Sequence, residues 1–369
     1  LAMGGDLKNS FCIGVNDLCY LSPYVGDLQD LRTVQALEET IGRFQTLLEA
    51  QPQAVVCDLH PGYNSVAMAK NMDLPLIQVQ HHYAHILSCM AENDYHDPVI
   101  GVSFDGTGYG MDGTIWGGEL LLSREDGFRR LGSIQPFLQL GGDASAREGW
   151  RIAVSMIYAL TKDRTETLDI IRKLALCEEN TAKVQLTMAN RNINAVRSTS
   201  AGRLFDGVSA ILGIRTVSTF EGEASTALQY RAEAWNKAHP STDTIPPEAP
   251  ETDAEGFLTL PTDRLVQDIL TRRLAGESTD RLAMEFHRRL AGQIAGAVQA
   301  AREQTGLPAV ALSGGVFQNR LLLELTVELL EQMKFRVLTH HLVPPNDGGI
   351  ALGQAVYGLK RLKLQKNET

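Results

Sequence analysis

The sequence predicts an α/β protein in two parts, each opening on a β-hairpin and continuing in strands and helices. Three observations point there. Short apolar runs such as "AVVCDL" (54–59) and "LPLIQVQ" (74–80) have the length of buried strands, and the stretch between them, "NSVAMAKNM", reads as helix. A strand–helix–strand unit of this kind suggests a parallel crossover. The second half again opens on a hairpin and ends in strand–helix alternation, and 369 residues suffice for two domains with real cores. No sequence repeat links the halves.

Taken in order, "SFCIGV" and "LCYLSPYV" flank the turn pair Asn16–Asp17 as a hairpin. Leu and Ile at helical spacing predict a helix over roughly 31–50. After the crossover, "VQHHYAH" starts the next helix directly behind a strand, where open α/β sheets carry their ligands. "PVIGVSFDGTGYGMDGTIWGGELLLS" (98–123) reads as strand, Gly-rich turn, strand. Residues 144–237 are mainly helical in pattern, and 236–256, rich in Pro, Thr and acid, read as an exposed loop. A long helix at about 279–305 precedes strand "AVALS", turn "GGVFQN", a helix, strand "RVLTH", "PPNDGG" and a last helix. The expected division is 1–97 and 98–369, the second part with a helical insertion at about 144–280.

Composition narrows the function. A net charge of −10 argues against a nucleic-acid backbone as main partner, since phosphate tracking needs a basic face. The five cysteines, Cys12, Cys19, Cys57, Cys89 and Cys177, include no C-x-x-C pair and read as packing thiols of a reduced, cytoplasmic protein. No apolar run is long enough to span a bilayer as a helix. The first residue is Leu1, which predicts a piece of a longer chain.

The chemistry-bearing residues cluster. His81 and His85 are four apart, one helical turn, so two imidazoles can reach one cation, while His82 points elsewhere. The bland alternative is a capping or surface pair. Asp105 in "FDGTGYG" and Asp347 in "PPNDGG" sit in Gly-rich turns expected after strands. Each has an ordinary alternative role, a turn residue for Asp105 and an N-cap for Asp347. Two imidazoles and two carboxylates suit Fe²⁺, Mn²⁺ or Zn²⁺ better than Ca²⁺ or Mg²⁺. "DGTGYG", "SGGVFQN" and "NDGG" are turns in which a glycine backbone can approach phosphate. Asp206 in "AGRLFDGVSAILG" is a carboxylate that can accept ribose hydroxyls, or simply a solvated residue on a helix face.

The ordered set "VQHHYAH", "SFDGTGYG", "GGDASAREGWR", "SAGRLFDGVSAILG", "FEGEAS", "LSGGVFQNRLL" and "PPNDGGIALGQA" resembles the carbamoyltransferase branch of the actin/hexokinase/Hsp70-like ATPase superfamily. The opening "GGDLKNSFCI", "SPYVGDL" and "CDLHPGYNS" resemble most closely the C-terminal, Kae-like domain of the HypF family of hydrogenase-maturation carbamoyltransferases. The likeness covers nearly the whole chain. It implies two actin-like (ASKHA, ribonuclease H-like) lobes with nucleotide and metal in the cleft between them. It implies that His81, His85, Asp105 and Asp347 hold a metal, iron or alternatively zinc, acting as a Lewis acid on the carbamoyl group. Asp206 matches the ribose ligand, with Gly222 nearby. Gly106, Thr107 and Gly108 match the substrate turn; Gly314, Gly315 and Asn319 match the adenosine and phosphate turn. Lys8 is a candidate phosphate or carbamoyl contact, grouped with His81 and His85 as catalytic. One departure is Gly149 in "AREGW", where proline is expected.

The resemblance further implies ATP chemistry, with carbamoyl-adenylate (AMP as leaving group) made in upstream acylphosphatase-like, zinc-finger and YrdC-like domains absent from this sequence. The carbamoyl group would pass to the C-terminal cysteine of a HypE-type acceptor protein, toward the cyanide ligands of [NiFe] hydrogenase. The competing readings are a small-molecule O-carbamoyltransferase and a nucleotide-dependent ASKHA binding module. Transfer RNA modification is disfavoured by the acidic charge and by "HHYAH", which lacks the acid of that branch's H-x-E-x-H signature.

Overall fold

The computed structural model describes residues 1–240 and 243–368, so two residues of the 236–256 segment lie outside the described residues. The first part contains β1 (Cys12–Val15), β2 (Leu18–Leu21), α1 (Leu31–Leu47), β3 (Val55–Asp58), α2 (Asn64–Asn71), β4 (Leu76–Val79) and α3 (His81–Glu92). The hairpin turn is Asn16–Asp17, with Asn16 at φ 57°, a conformation Asn tolerates better than most residues. β3 and β4 are parallel. Ala2 bridges Cys12 on one side and Val56 on the other, joining hairpin and crossover into one sheet in the order β2-β1-Ala2-β3-β4.

The second part contains β5 (Val99–Tyr109), β6 (Ile115–Arg124), β7 (Gly127–Ile134), β8 (Phe137–Leu140), α4 (Gly149–Thr161), α5 (Arg164–Leu174), α6 (Glu179–Arg191), β9 (Ala195–Ser198), α7 (Ala201–Ile211), α8 (Glu223–Ala238), β10 (Glu251–Thr252) and β11 (Leu258–Leu260). It continues through α9 (Thr262–Leu274), α10 (Thr279–Thr305), β12 (Ala309–Ser313), α11 (Arg320–Gln332), β13 (Arg336–Leu338) and α12 (Ile350–Glu368). Its sheet runs β7-β6-β5-β12-β13, with β5–β7 an antiparallel meander, β12 parallel to β5 and β13 parallel to β12. Numbered along its own chain, this order is third, second, first, fourth, fifth. The first sheet has the same order with Ala2 as its first strand. Two sheets of one unusual topology are the two actin-like lobes of the ASKHA architecture.

The insertion is not purely helical. β9 pairs with β6 and β8, and β11 lies parallel to β7, so short strands extend the second sheet. The described residues of the 236–256 segment are largely an exposed loop, as expected, but one docked on a helix. Its N-terminal residues complete α8, and its backbone then lies on α10, where Gly292 and Gly296 leave room for the carbonyls of Pro246 and Glu248. A Cβ at Gly296 would stand 2.0 Å from the Glu248 oxygen, so nothing larger fits.

Helix α3 lies between the lobes. All of His81 to Met90 is buried, as expected of a helix with neighbours on every side. Gly101 of β5 admits Ile86, and Gly353 of α12 sits against the Ala84 carbonyl. α12 thus crosses back onto α3 and also touches β1, β2 and β3, although it ends the chain. The Gly149 departure has a packing reason. α4 begins there, and a Cβ would stand 2.9 Å from the Asp206 carbonyl oxygen.

Candidate functional site

α3 starts at His81 because Gln80 caps it, its Oε1 accepting the Tyr83 N–H at 2.9 Å. Such a cap contributes about 1 kcal/mol and fixes the first turn, which carries His81 and, one turn on, His85. Each presents a buried Nε2 with no hydrogen-bond partner. Asp105 and Asp347 meet them there. His81 Nε2 is 3.3 Å from Asp105 Oδ2 and 3.5 Å from Asp347 Oδ1. His85 Nε2 is 3.7 Å and 3.6 Å from the same atoms. All four donor atoms lie within 4.8 Å of one another.

These separations are too long or too bent for hydrogen bonds. They suit a shared cation, because donors about 2.1 Å from one ion at tetrahedral angles stand about 3.4 Å apart. An orphaned buried polar atom costs about 1–3 kcal/mol, so two orphaned imidazole nitrogens argue for an occupant. The residues therefore fit a divalent metal of the imidazole-preferring kind. Burial opposes charge on both imidazoles. It is outweighed at His81 by Asp347, Asp58 and Asp105, and at His85 by Asp105 and Asp347, so both titrate above the ordinary 6.5. A metal must displace those protons.

The sequence reading missed Asp58. It ends β3, beside β4, and its Oδ2 takes the His81 Nδ1 proton at 2.7 Å, both side chains wholly buried. This fixes the tautomer that leaves Nε2 free as a ligand. The signal was a carboxylate closing a buried parallel strand, in "VVCD".

Other expectations need correction. Asp105 is neither turn residue nor strand-follower. It lies inside β5, beside a register shift between Phe104 and Gly108, and the hairpin turn itself comes later, around Asp112. Asp347 is not the cap of its helical turn; Asn346 is, accepting from Gly348. "RVLTH" is strand only as far as Leu338. Asp206 is no solvated residue. It is 4% exposed and paired with Arg203 Nε at 2.6 Å. Burial raises its carboxyl above the usual value, against the pull of Arg203. His82 stands apart from the four: Gln80 donates to its Nδ1 at 3.1 Å, so the neutral ring carries its proton on Nε2. Cys89, one turn past His85, is a fully buried thiol pushed far up by burial and is no nucleophile.

Beside the four-residue cluster opens a cavity of about 330 Å³, within the range of small-ligand sites. Lys8, Asp105, Gly106, Asp206, Glu221, Gly222, Gly315 and Asn319 line it. Gly314 adopts φ 100°, and Gly315 donates its N–H to Asp105 Oδ1 at 2.8 Å. Asp105 therefore belongs to both places. One oxygen faces the imidazoles and the other is held by the cavity's glycine turn. Lys8, at φ 49°, reaches across to Glu221. Burial opposes its charge, but Glu221, Asp347 and Asp105 raise its pKa above the usual value.

Gly222, at φ 77°, caps α8. Asn319 offers little side chain to a ligand: its Oδ1 caps α11 and its Nδ2 is 2.9 Å from His287 Nε2. Gly108 packs on His82 and His81, where any Cβ would collide, and the exposed Thr107 bonds the Gly106 carbonyl.

Comparison with known proteins gives the family. Residues 1–92 match the "HypF Kae1-like domain" and residues 101–354 match "Carbamoyltransferase, Kae1-like Domain, second subdomain". The carbamoyltransferase HypF of Synechocystis is 35% identical over 96% of this chain, which spans 46% of that protein. A carbamoyltransferase HypF homolog of Cupriavidus necator is 36% identical over 96% of this chain and 90% of its own length. The chain thus spans about half the length of most of the curated relatives it matches. The crystal structure of full-length HypF in the phosphate- and nucleotide-bound form superposes with a TM-score of 0.89 at 32% identity, covering 98% of this chain and 55% of that one. HypF of T. kodakarensis gives 0.87 at 28% identity, covering 98% and 47%. Family models over both lobes and a relative matched nearly end to end agree: this chain belongs to the HypF carbamoyltransferase family, and it is an enzyme domain of that family.

Proposed function

We propose that this chain transfers the carbamoyl group of carbamoyl-adenylate to a cysteine thiolate at the C-terminus of a HypE-type acceptor protein. The observation that carries the reading is Asp105, shared between a four-donor cluster and a nucleotide-sized cavity. The adenylate's nucleoside lies toward Asp206 and Gly222, its phosphate toward Lys8 and the Gly314–Gly315 turn. Its carbamoyl carbonyl then falls beside His81, His85, Asp105 and Asp347. A divalent cation there, iron or zinc, supplies Lewis-acid polarisation of that carbonyl.

The chain's own residues do the rest. Asp58 keeps His81 oriented, and Gly315 keeps Asp105 oriented. Lys8 exchanges Glu221 for the phosphate, and the bound nucleotide displaces from the cavity water that would hydrolyse the anhydride. The thiolate attacks the carbonyl carbon, a C–S bond forms, the carbonyl–phosphate C–O bond breaks, and AMP leaves with the electron pair. No nucleophile from this chain takes part: Cys12, Cys57 and Cys89 are buried, and none of the five cysteines lines the cavity. Adenylation belongs to the upstream acylphosphatase-like, zinc-finger and YrdC-like regions of the longer relatives. The setting is cytoplasmic; no described helix is long and apolar enough to cross a membrane. The test supplies synthetic carbamoyl-adenylate and an acceptor ending in cysteine, and reads the acceptor's mass. Carbamoylation of the terminal cysteine that requires this chain supports the proposal; adenylate binding with no gain of mass refutes it.

A further inference from the structure

The other end of α3 carries a second buried network, outside the ligand cluster. Glu92 is the helix's last residue, and its side chain is 3% exposed. Its carboxylate accepts N–H groups from His341, Leu342 and Val343. It also holds His340 Nδ1 at 2.9 Å, and His340 Nε2 meets Ser313 Oγ at 2.8 Å. The neighbouring Asn93 adds a bond to the Thr339 carbonyl at 2.9 Å.

The order Ser, His, acid is that of a nucleophile relay, but Ser313 is wholly buried and no carbonyl substrate can reach it. What the network joins is more telling. Ser313 ends β12 and directly precedes Gly314–Gly315, the turn that holds Asp105. Residues 339–343 belong to the loop that delivers Asp347, and Gly314 N bonds the Pro345 carbonyl of that loop at 3.0 Å. α3 itself delivers His81 and His85. One buried carboxylate therefore ties together α3, the loop of Asp347 and the turn that holds Asp105.

We infer that Glu92, through His340 and Ser313, is a positioning residue that sets Asp347 and the Gly314–Gly315 turn against the two imidazoles of α3. A buried carboxylate suits this position because three successive backbone N–H groups of an irregular loop need an acceptor. The helix acts as a ruler, with ligands at its first turn and the clamp for the opposing loop at its last residue. This inference rests on the metal reading proposed above.

The test measures metal affinity in the folded chain, by competition of Zn²⁺ with a chromophoric chelator, alongside thermal unfolding. Glu92→Gln cannot accept all four donors. It is expected to lose between about 10- and 100-fold in Zn²⁺ affinity, the range found when residues behind metal ligands are changed. Leu186→Ala, a core cavity in α6, serves as a destabilised control and is expected to bind Zn²⁺ as wild type does. Equal affinity in Glu92→Gln and wild type, or an equal loss in the control, overturns the inference while leaving the metal reading intact. A wild-type chain that binds no Zn²⁺ overturns both. Should Glu92→Gln fail to fold, Ser313→Ala decides: it removes one bond of the relay and is expected to weaken Zn²⁺ several-fold, and an unchanged affinity counts against the inference.

Discussion

His81 Nδ1 and Asp58 Oδ2 lie 2.7 Å apart, the ring fully buried and the carboxylate at the end of the neighbouring parallel strand. The contact makes His81 a directed ligand, because only one of its nitrogens remains free. Asp58→Asn keeps the shape but weakens the acceptor. We expect about a tenfold loss of metal affinity with little change in the unfolding midpoint. Isothermal titration of the purified variant with Zn²⁺ checks this; wild-type affinity would leave Asp58 without a role at the metal.

Gly315 is predicted to be intolerant of a single methyl group. A Cβ there would stand 2.8 Å from Asp105 Oδ1, which the Gly315 N–H now holds. Gly315→Ala should displace Asp105 and so weaken metal and AMP together, each by about tenfold. Loss of one without the other would show that Asp105 does not couple the two.

Asp206→Asn separates the nucleotide from the metal. Its carboxylate lines the cavity but is no member of the four-donor cluster. Losing a charged acceptor for ribose hydroxyls should raise the AMP dissociation constant about 10-fold or more, while the metal content stays at the wild-type level. Fluorescence titration with an AMP analogue and metal analysis of the same sample read both. An unaltered nucleotide affinity contradicts the ribose role.

One source of acid sensitivity is His287. Burial pushes this imidazole from the ordinary 6.5 down to about 4. Its neutral ring receives the Asn319 amide at Nε2 and gives its Nδ1 proton to the Ala283 carbonyl. The unfolded chain binds a proton below pH 6.5 and the folded one does not until about 4, so stability falls as pH drops through that window. The loss from this group is up to roughly 3 kcal/mol. Histidine NMR should find the His287 ring neutral well below 6.5. Protonation at the ordinary value would contradict the burial argument.

Legibility in the sequence followed the range of the forces involved. The long helix expected at about 279–305 is Thr279–Thr305, because its apolar periodicity is local. The opening hairpin and the crossover from β3 to β4 were legible for the same reason. His81 and His85 share a helical turn by spacing alone, but their meeting with Asp105 and Asp347 is set by β5 and by a loop distant in the chain. Glu92 carries no local pattern at all, and Asp58 only that of a carboxylate closing a buried strand; the pairing of β3 with β4 and the fold of 339–343 around α3 give them their roles. Asp105 was misread as a turn residue because glycines in "DGTGYG" look like a turn, whereas Gly108 relieves a crowded strand against His81 and His82. The segment after α8 is legible as an exposed loop, but its docking is not, because that depends on two glycines of a distant helix.

The most direct test of the central claim is metal stoichiometry and carbamoyl transfer measured on the same samples of wild type and His85→Ala. We predict one equivalent of Fe²⁺ or Zn²⁺ per wild-type chain and transfer that requires it. The variant should remain folded, lose the metal and lose transfer. Full transfer by a metal-free His85→Ala chain would contradict a metal-holding role for the four-residue cluster in the reaction.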